Sequence, residues 1–254
     1  MAITKKPTLS TADGEQTTAP VVNNADEFTP RRAKRSAAKL RLALDGVSGS
    51  GKTFSALEIA FGLVGNDGKI VVIDTENSSA DLYAHLGEYD TVSLNPPYSP
   101  ERYISAIKKM EELKYDVIII DSLSANWAGE GGALEKQTAV TKRTGNGYTS
   151  WSEVTPGQNR LMEAMLQSPC HIIATMRSKI EYVIDKDASG KTTIRKMGLM
   201  PIQRNGVEHE FTIVFDMDQD HIAAVSKDRS GLFDGKSFKP SRETGKQLAE
   251  WLKG

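Results

Sequence analysis

The sequence predicts an α/β fold in which helices cover both faces of a mostly parallel central sheet, followed by a C-terminal antiparallel extension. Short, continuous apolar runs such as Val117–Ile120 are typical of strands that are buried on both faces of a sheet. Stretches with apolar residues at helical spacing separate these runs, as expected for crossover helices. After Arg177 the helical pattern stops and strand-like segments follow one another, which indicates antiparallel pairing.

The predicted elements follow in order from Lys39. Strands are expected over residues 39–45, 69–74, 116–121 and 171–176, and helices over residues 52–64, 100–114 and 156–167. A hairpin insertion at about 178–197 would turn around Ala188-Ser189-Gly190, because small residues and glycine favour tight turns. Two more strands within residues 210–231 and a helix over residues 243–254 end the chain. The segment 122–151 is expected to be a long loop with a functional role.

Residues 1–38 are expected to form a disordered N-terminal tail before a core domain at residues 39–254. The tail is rich in Thr, Ala, Asn and Pro, and it offers little apolar surface to offset the entropy of ordering. Its end is basic, with Arg31, Arg32, Lys34 and Arg35. This cluster fits either an arm that binds nucleic acid or a solvated run of charge.

The composition narrows the classes of function. The formal net charge is -1, so any surface for nucleic acid must be local. Cys170 is the one cysteine, which excludes an internal disulfide and fits a reducing cytoplasm, the expected location. No apolar run approaches the roughly 20 residues of a membrane span, and the N-terminus lacks the apolar centre of a signal peptide. The four histidines show no metal-ligand spacing with Cys170.

The strongest chemical signal is GVSGSGKT, which fits the phosphate-loop pattern G-x-x-x-x-G-K-[ST] between a predicted strand and a predicted helix. Backbone N–H groups in such a loop bind phosphate oxygens, and the helix N-terminus adds a partial positive charge. The predicted nucleotide-binding residues are Gly46, Val47, Ser48, Gly49, Ser50, Gly51, Lys52 and Thr53. Lys52 would reach the β- and γ-phosphates of ATP, and the Thr53 hydroxyl would ligate Mg²⁺.

Two carboxylates are predicted to act with this loop. Asp121 ends a predicted strand, where its carboxylate could hold Mg²⁺. The next residue is Ser122, whereas many ATP-hydrolysing machines have a glutamate there that aligns the attacking water. Glu76 follows the strand at 69–74 and would emerge at the same sheet edge if these strands are neighbours. By spacing alone, Glu76 fits the catalytic role and that of a solvated loop residue about equally.

The phosphate loop, VVIDTEN and VIIIDSLSA together resemble the RecA/RadA superfamily, over the segment from Lys39 to Leu232. The resemblance implies a RecA-like P-loop NTPase fold and a catalytic glutamate after the second strand. That role carries over to Glu76, which makes a serine after Asp121 expected. Thr175 stands where RecA has a glutamine that senses the γ-phosphate, and a threonine is too short to span the same gap. AAA+ ATPases, which usually have Asp-Glu at the metal strand, are the poorer fit.

More narrowly, the chain resembles short RecA-core ATPases carried by bacteriophages, some of which promote single-strand annealing. The segments that carry this resemblance are DSLSANWAGEGG, WSEVTPGQNRLMEAMLQSPCHIIATMRSK and PIQRNGVEHEFTIVFDMD. It implies action on single-stranded DNA in the bacterial host cytoplasm, with a single-strand DNA-binding protein as a candidate partner.

Lys227 and Arg229 lie at alternate positions where a predicted strand ends, so both side chains point the same way. RecA-like hexamers and filaments use basic residues in a similar place to reach the ATP of the adjacent subunit, as an arginine finger does. The resemblance therefore implies a homo-oligomer, ring or filament, with ATP at subunit interfaces. A solvated basic pair at a turn is the alternative.

Basic residues with interspersed aromatics indicate a surface for single-stranded DNA. Phosphates pair with cations and bases stack on rings, and RecA-like proteins place their DNA loops at the carboxyl edge of the sheet. Tyr148 and Trp151 supply rings, although Trp151 fits the core equally well. The candidate DNA-binding residues are Lys142, Arg143, Arg177, Lys179, Lys191, Arg195 and Lys196.

The sequence thus predicts an ATP- and Mg²⁺-dependent RecA-like ATPase that acts on single-stranded DNA in recombination, strand annealing or repair. Its expected catalytic residues are Glu76, Lys52, Thr175, Lys227 and Arg229. Two alternatives remain open. One is a P-loop kinase of a small molecule or nucleotide, and the other is a non-hydrolysing nucleotide switch or loader in replication.

Overall fold

The computed structural model describes Pro30, residues 32–186 and residues 192–254, with the backbone alone for residues 180–186 and 192–198. Residues from Lys34 to Gly254 form one compact unit. The prediction of a disordered tail over residues 1–38 therefore lies mostly outside the described residues. Of its basic end, Arg32, Lys34 and Arg35 are exposed, and the Arg35 guanidinium lies 5.5 Å from the ring centroid of Trp251.

Strands and helices alternate through the first two thirds of the described chain. The strands are β1 (Arg41–Gly46), β2 (Ile70–Asp74), β3 (Asp90–Ser93), β4 (Val117–Asp121), β5 (His171–Lys186), β6 (Thr192–Pro201), β7 (Ile213–Met217), β8 (Ala223–Asp228) and β9 (Ser237–Phe238). The α-helices are α1 (Lys52–Val64), α2 (Pro100–Glu112), α3 (Ser124–Ala128), α4 (Ala133–Thr144), α5 (Gly147–Gln167) and α6 (Arg242–Lys253).

The sheet runs in the order β3-β2-β4-β5-β1-β7-β8-β9, and β6 pairs with β5 outside this path. Neighbouring strands from β3 to β7 are parallel, whereas β7, β8 and β9 pair antiparallel. The predicted α/β fold, with a mostly parallel sheet and a C-terminal antiparallel extension, is confirmed. The order places β5 between β1 and β4, so a side chain at the carboxyl end of β5 lies between the phosphate loop and Asp121.

Two apolar layers hold the sheet between helices. Successive side chains on a strand point to opposite faces, so Leu42 and Leu44 pack with α1 and α6, whereas Ala43 packs with α2 and α5. Each fully buried leucine or isoleucine in these layers contributes about 1.5–3 kcal/mol to folding. Gly62 and Gly245 let α1 and α6 approach closely, because a Cβ on either glycine would overlap a carbonyl group of the other helix.

The prediction of a long loop over residues 122–151 is wrong, since this segment is largely helical. Helix α4 buries only Ala133 and Val140, so its apolar periodicity is too weak to read from the sequence. Helix α5 begins at Gly147, nine residues before its predicted start, and the side chain of the preceding Asn146 accepts hydrogen bonds from the N–H groups of Tyr148 and Thr149. Pro156, taken as the helix start, lies inside it. No helix in the described residues is long and apolar enough to cross a membrane.

Candidate active site

The phosphate loop connects β1 to α1 at the carboxyl edge of the sheet, as predicted. Gly49 and Gly51 both have φ of 81°, a left-handed conformation that glycine adopts without steric cost. Gly46 is closely packed against β7, because a Cβ there would be 2.5 Å from the carbonyl oxygen of Met217. These positions explain why glycine stands at all three places in the loop. A tight glycine-rich turn at the start of a helix is an arrangement in which backbone N–H groups can bind phosphate oxygens.

The ammonium of Lys52 lies inside the loop. Its Nζ donates hydrogen bonds to the carbonyl oxygens of Gly46 at 3.0 Å and Val47 at 2.8 Å. Burial lowers the pKa of Lys52, and the nearby charges of Asp121 and Glu76 partly offset that effect. A partly desolvated cation held by neutral carbonyls gains a stronger partner when an anionic phosphate enters the loop.

Asp121 and Thr53 form the predicted metal-binding pair. The Thr53 Oγ1 donates to the Asp121 Oδ2 at 2.6 Å, and the Thr175 Oγ1 donates to the Asp121 Oδ1 at 2.5 Å. Burial raises the pKa of Asp121, while the hydrogen bonds from Thr175 and Thr53 lower it. A buried carboxylate beside a hydroxyl and near phosphate is the all-oxygen donor set that Mg²⁺ prefers, so the residues fit this ion. Thr175 itself is fully buried and holds the carboxylate in place.

The loop after β2 carries Glu76 to the same edge. The Asp74 carboxylate fixes this loop by accepting hydrogen bonds from the N–H of Glu76 at 2.5 Å and the N–H of Ala80 at 2.9 Å. The N–H of Thr75 donates to the carbonyl oxygen of Asp121 at 2.7 Å, which ties the loop to the end of β4. Glu76 is therefore brought together with Lys52 and Asp121, residues that are 24 and 45 positions from it in the sequence.

An ion pair joins Glu76 to Arg177. The Arg177 Nε donates to the Glu76 Oε1 at 2.9 Å, and this hydrogen bond is the main cause of a raised Arg177 pKa. Arg177 pairs in register with Gly46, the first residue of the phosphate loop. Arg177 is one of the predicted DNA-binding residues, and in the structure its side chain contacts the candidate catalytic carboxylate of Glu76. The two residues are 101 positions apart, so no local pattern could indicate this contact.

Ser122 lies directly after Asp121, where many ATP-hydrolysing machines have a glutamate. It is fully buried, and its carbonyl oxygen accepts a hydrogen bond from the Tyr103 hydroxyl at 3.1 Å. Its N–H donates to the Thr75 Oγ1 at 2.9 Å. The residue after Asp121 is thus engaged by Thr75, which follows β2, and by Tyr103 on α2.

A cavity of about 380 Å³ adjoins the phosphate loop and was missed by sequence reasoning. Its aromatic and apolar walls include Phe54, Tyr83, His221 and Pro240, and the rings of Phe54 and Tyr83 meet edge to face at 6.2 Å. These residues come from four separate parts of the chain, so only the tertiary structure brings them together. Aromatic walls beside a phosphate site suit a planar base.

The residues predicted to act between subunits contact their own chain. The Lys227 Nζ donates to the carbonyl oxygens of Glu208 at 2.9 Å and His209 at 2.6 Å, and the Arg229 Nη2 donates to that of His209 at 3.2 Å. Both side chains therefore reach the same segment, as their alternate spacing predicts. Neither is part of the cluster around Lys52 within the described residues.

The candidate DNA-binding residues that the structure describes lie on three elements, α4, β5 and β6. Lys142 and Arg143 lie on the last turn of α4. The Arg143 Nη2 donates to both carboxylate oxygens of Glu153 at 2.7 Å. Lys179 is exposed on β5, just beyond Arg177. Lys191 lies outside the described residues. Arg195 and Lys196 are placed on β6 by their backbone pairing with β5.

Comparisons with known proteins identify similarities in family and fold. A family model described as AAA domain matches residues 38–243. The crystal structure of the RadB recombinase is similar with a TM-score of 0.42 and 14% sequence identity, covering 80% of this chain and 84% of that chain. No curated protein shows a significant match. The family name contains AAA. AAA+ ATPases are the class that fits the sequence less well, because Ser122 rather than glutamate follows Asp121.

Proposed function

Because the chain belongs to the AAA domain family, we propose that it is an ATP- and Mg²⁺-dependent ATPase that acts on single-stranded DNA, in bacteriophage recombination, strand annealing or repair. The observation that carries the proposal is the convergence of Lys52, Asp121 and Glu76 at one edge of the sheet. A phosphate-binding cation, a metal-binding carboxylate and a second carboxylate for water are the groups that hydrolysis of a γ-phosphate needs.

Each residue of the site has one task in this mechanism. The loop N–H groups and the Lys52 ammonium bind the β- and γ-phosphates and stabilise charge on the transferring group. Thr53 and Asp121 would hold Mg²⁺, which supplies further neutralisation of phosphate charge when bound. Thr175 keeps the Asp121 carboxylate oriented through its 2.5 Å hydrogen bond. Glu76 orients and polarises the water that attacks the γ-phosphate, and the aromatic cavity beside the loop receives the base.

Arg177 supplies a link between DNA and hydrolysis in this proposal. Its guanidinium pairs with Glu76, while the strand that carries it continues directly into the hairpin of β5 and β6. A carboxylate engaged by an arginine is a weaker base for water. We propose that DNA phosphate draws Arg177 away and so releases Glu76. This change of partner for Arg177 would replace the coupling that RecA obtains from the glutamine whose place Thr175 takes here.

Assembly is the second component of the proposed function. Lys227 and Arg229 project together and are engaged by main-chain carbonyl oxygens of Glu208 and His209. Carbonyl oxygens are weaker partners for these cations than a triphosphate is. In a ring or filament, this basic pair would leave the carbonyl oxygens and reach the ATP of the adjacent subunit.

ATP turnover with and without single-stranded DNA tests the proposed function. We expect hydrolysis to rise on addition of an oligonucleotide of mixed sequence, and binding to weaken steeply with salt because phosphate contacts release counterions. The measurement is phosphate release at several salt concentrations, with duplex DNA of equal length as the control. Turnover that is unaffected by DNA would favour a kinase, and binding of ATP without turnover would favour a nucleotide switch.

A change at Arg177 tests its role as a restraint on Glu76. We expect Arg177→Gln to raise turnover in the absence of DNA and to reduce the stimulation by DNA, because Glu76 is then free in both states. The measurement is phosphate release with and without a saturating oligonucleotide. Lys179→Gln is the matched control, two positions further along β5, and should weaken DNA binding with no rise in basal turnover. A fall in basal turnover for Arg177→Gln would mean that Arg177 acts on phosphate directly.

A further inference from the structure

Two tryptophans stack on each other outside the nucleotide site. The rings of Trp127 on α3 and Trp151 on α5 are nearly parallel, with centroids 5.5 Å apart and planes 15° apart. Both side chains are only partly buried. Helix α3 begins three residues after Asp121, so the pair stands on the carboxyl side of the metal-binding strand.

The stacked rings form one wall of a cavity of about 440 Å³, here called the tryptophan pocket. Its lining residues are Trp127, Trp151, Thr155, Gln158, Asn159, Arg204 and Asn205. Three amide side chains and a guanidinium thus face two indole rings. The volume falls within the roughly 300–1,000 Å³ typical of sites for small organic groups.

One polar group in the pocket lacks a partner among the residues that the structure describes. Gln158 is 3% exposed, and its Nε2 makes no hydrogen bond to any of them. A buried donor without an acceptor destabilises the folded protein, so such groups are rare and usually have a functional reason. Arg204, by contrast, is anchored by a 2.6 Å hydrogen bond from its Nη1 to the Asn159 Oδ1. The pocket therefore combines a fixed rim with an amide that needs an acceptor.

We propose that the tryptophan pocket receives a base of bound single-stranded DNA, which stacks on the Trp127–Trp151 pair while its polar edge accepts from Gln158. The inference rests on the proposed function, and it names the part of the DNA that this surface takes. Phosphates carry no aromatic face, so the basic residues of α4 and β5 and the tryptophan pocket would contact different parts of one strand. Stacking on rings tolerates any base, which suits a protein that acts on DNA of arbitrary sequence.

The polarity of the pocket favours a base over an apolar side chain of a partner protein. An apolar group would leave the Gln158 Nε2 unsatisfied and would also remove Arg204 and Asn205 from water. Every base carries ring nitrogens or carbonyl oxygens at its edge, and these accept hydrogen bonds from amides. A base thus satisfies both the rings and the unpaired amide.

The test compares two oligonucleotides that have the same phosphates. One is oligo(dT), and the other is an abasic strand of equal length, each carrying a fluorescent label for anisotropy measurements with ATP and Mg²⁺ present. We expect the parent protein to bind oligo(dT) more tightly than the abasic strand. Trp151→Ala should weaken oligo(dT) binding by about fivefold to 150-fold, the range for loss of one stacked base, and leave the abasic strand within about twofold.

Two further variants separate stacking from folding. Gln158→Leu keeps the buried volume and should reduce the preference for oligo(dT) by about fivefold, because one net hydrogen bond is lost. Trp251→Phe, on α6, should change binding of neither strand. Equal affinity of the parent for both strands, or an equal loss on both in Trp151→Ala, would overturn the pocket and leave the DNA function standing. Binding of neither strand would overturn the proposed function and the pocket with it.

Discussion

Replacing Lys52 with alanine is expected to abolish measurable ATP turnover and to weaken ATP binding. The ammonium lies within the phosphate loop, held by the carbonyl oxygens of Gly46 and Val47, so it is in place before nucleotide arrives. It neutralises phosphate charge in the ground state and in the transition state alike, and both binding and turnover therefore depend on it. Loss of one preorganised charged donor lowers kcat by about 10²–10³-fold, on top of the loss in affinity.

The measurement for Lys52→Ala is phosphate release, with ATP affinity determined separately by calorimetry. Lys108→Ala, an exposed change on α2, is the matched control and should behave as the parent protein. Thermal unfolding of both variants shows whether the fold is kept. Hydrolysis by Lys52→Ala at the rate of the parent would mean that the nucleotide site has been assigned to the wrong loop.

Replacing Glu76 with glutamine is expected to lower turnover by about 10²–10⁴-fold while ATP affinity stays near that of the parent. The change keeps size and hydrogen bonding, and it removes the charge that polarises the attacking water. Loss of an interaction made mainly in the transition state lowers kcat. A factor of this size corresponds to an increase of about 3–5 kcal/mol in the activation free energy. Glutamine can still accept a hydrogen bond from Arg177, so the loop after β2 should keep its position.

Single-turnover hydrolysis measures the chemical step of Glu76→Gln without a contribution from product release. Glu88→Gln, an exposed change on the segment before β3, serves as the matched control. The trapped ATP state should also strengthen subunit association, because Lys227 and Arg229 would hold an intact γ-phosphate across the interface. If Glu76→Gln hydrolyses ATP within a few-fold of the parent, Glu76 is a loop carboxylate and another residue orients the water.

The parts of the site that are predictable from the sequence are those that depend on local backbone. The phosphate loop is one continuous segment from Gly46 to Thr53, and the spacing of its glycines indicates the tight turn. Asp121 is predictable because a buried strand delivers it to the edge where the loop lies. Glu76 needed the resemblance as well, since spacing alone does not show that β2 lies beside β4.

The rest of the site depends on contacts between distant parts of the chain. The pairing of Arg177 with Glu76 and the cavity formed by Phe54, Tyr83 and His221 have no local signature. Helix α4 and the first nine residues of α5 were missed for a different reason. Their buried residues are few or interrupted by Pro156, so the apolar pattern that marks a helix is weak even though the helices form. Strands β3 and β9 are short and partly exposed at the sheet edge, which removes the continuous apolar run.

Strand β5 belongs to two structures at once. From Ile172 to Arg177 it is bonded in register to β1, and from Ser178 onward it is bonded to β6. A strand clamped on both sides cannot slip by one residue, because slippage would turn every buried side chain to the opposite face. If DNA binds the hairpin as proposed, a force on the hairpin would act on the same strand that holds Arg177 against Glu76. DNA binding and ATP hydrolysis would then be coupled through β5 itself.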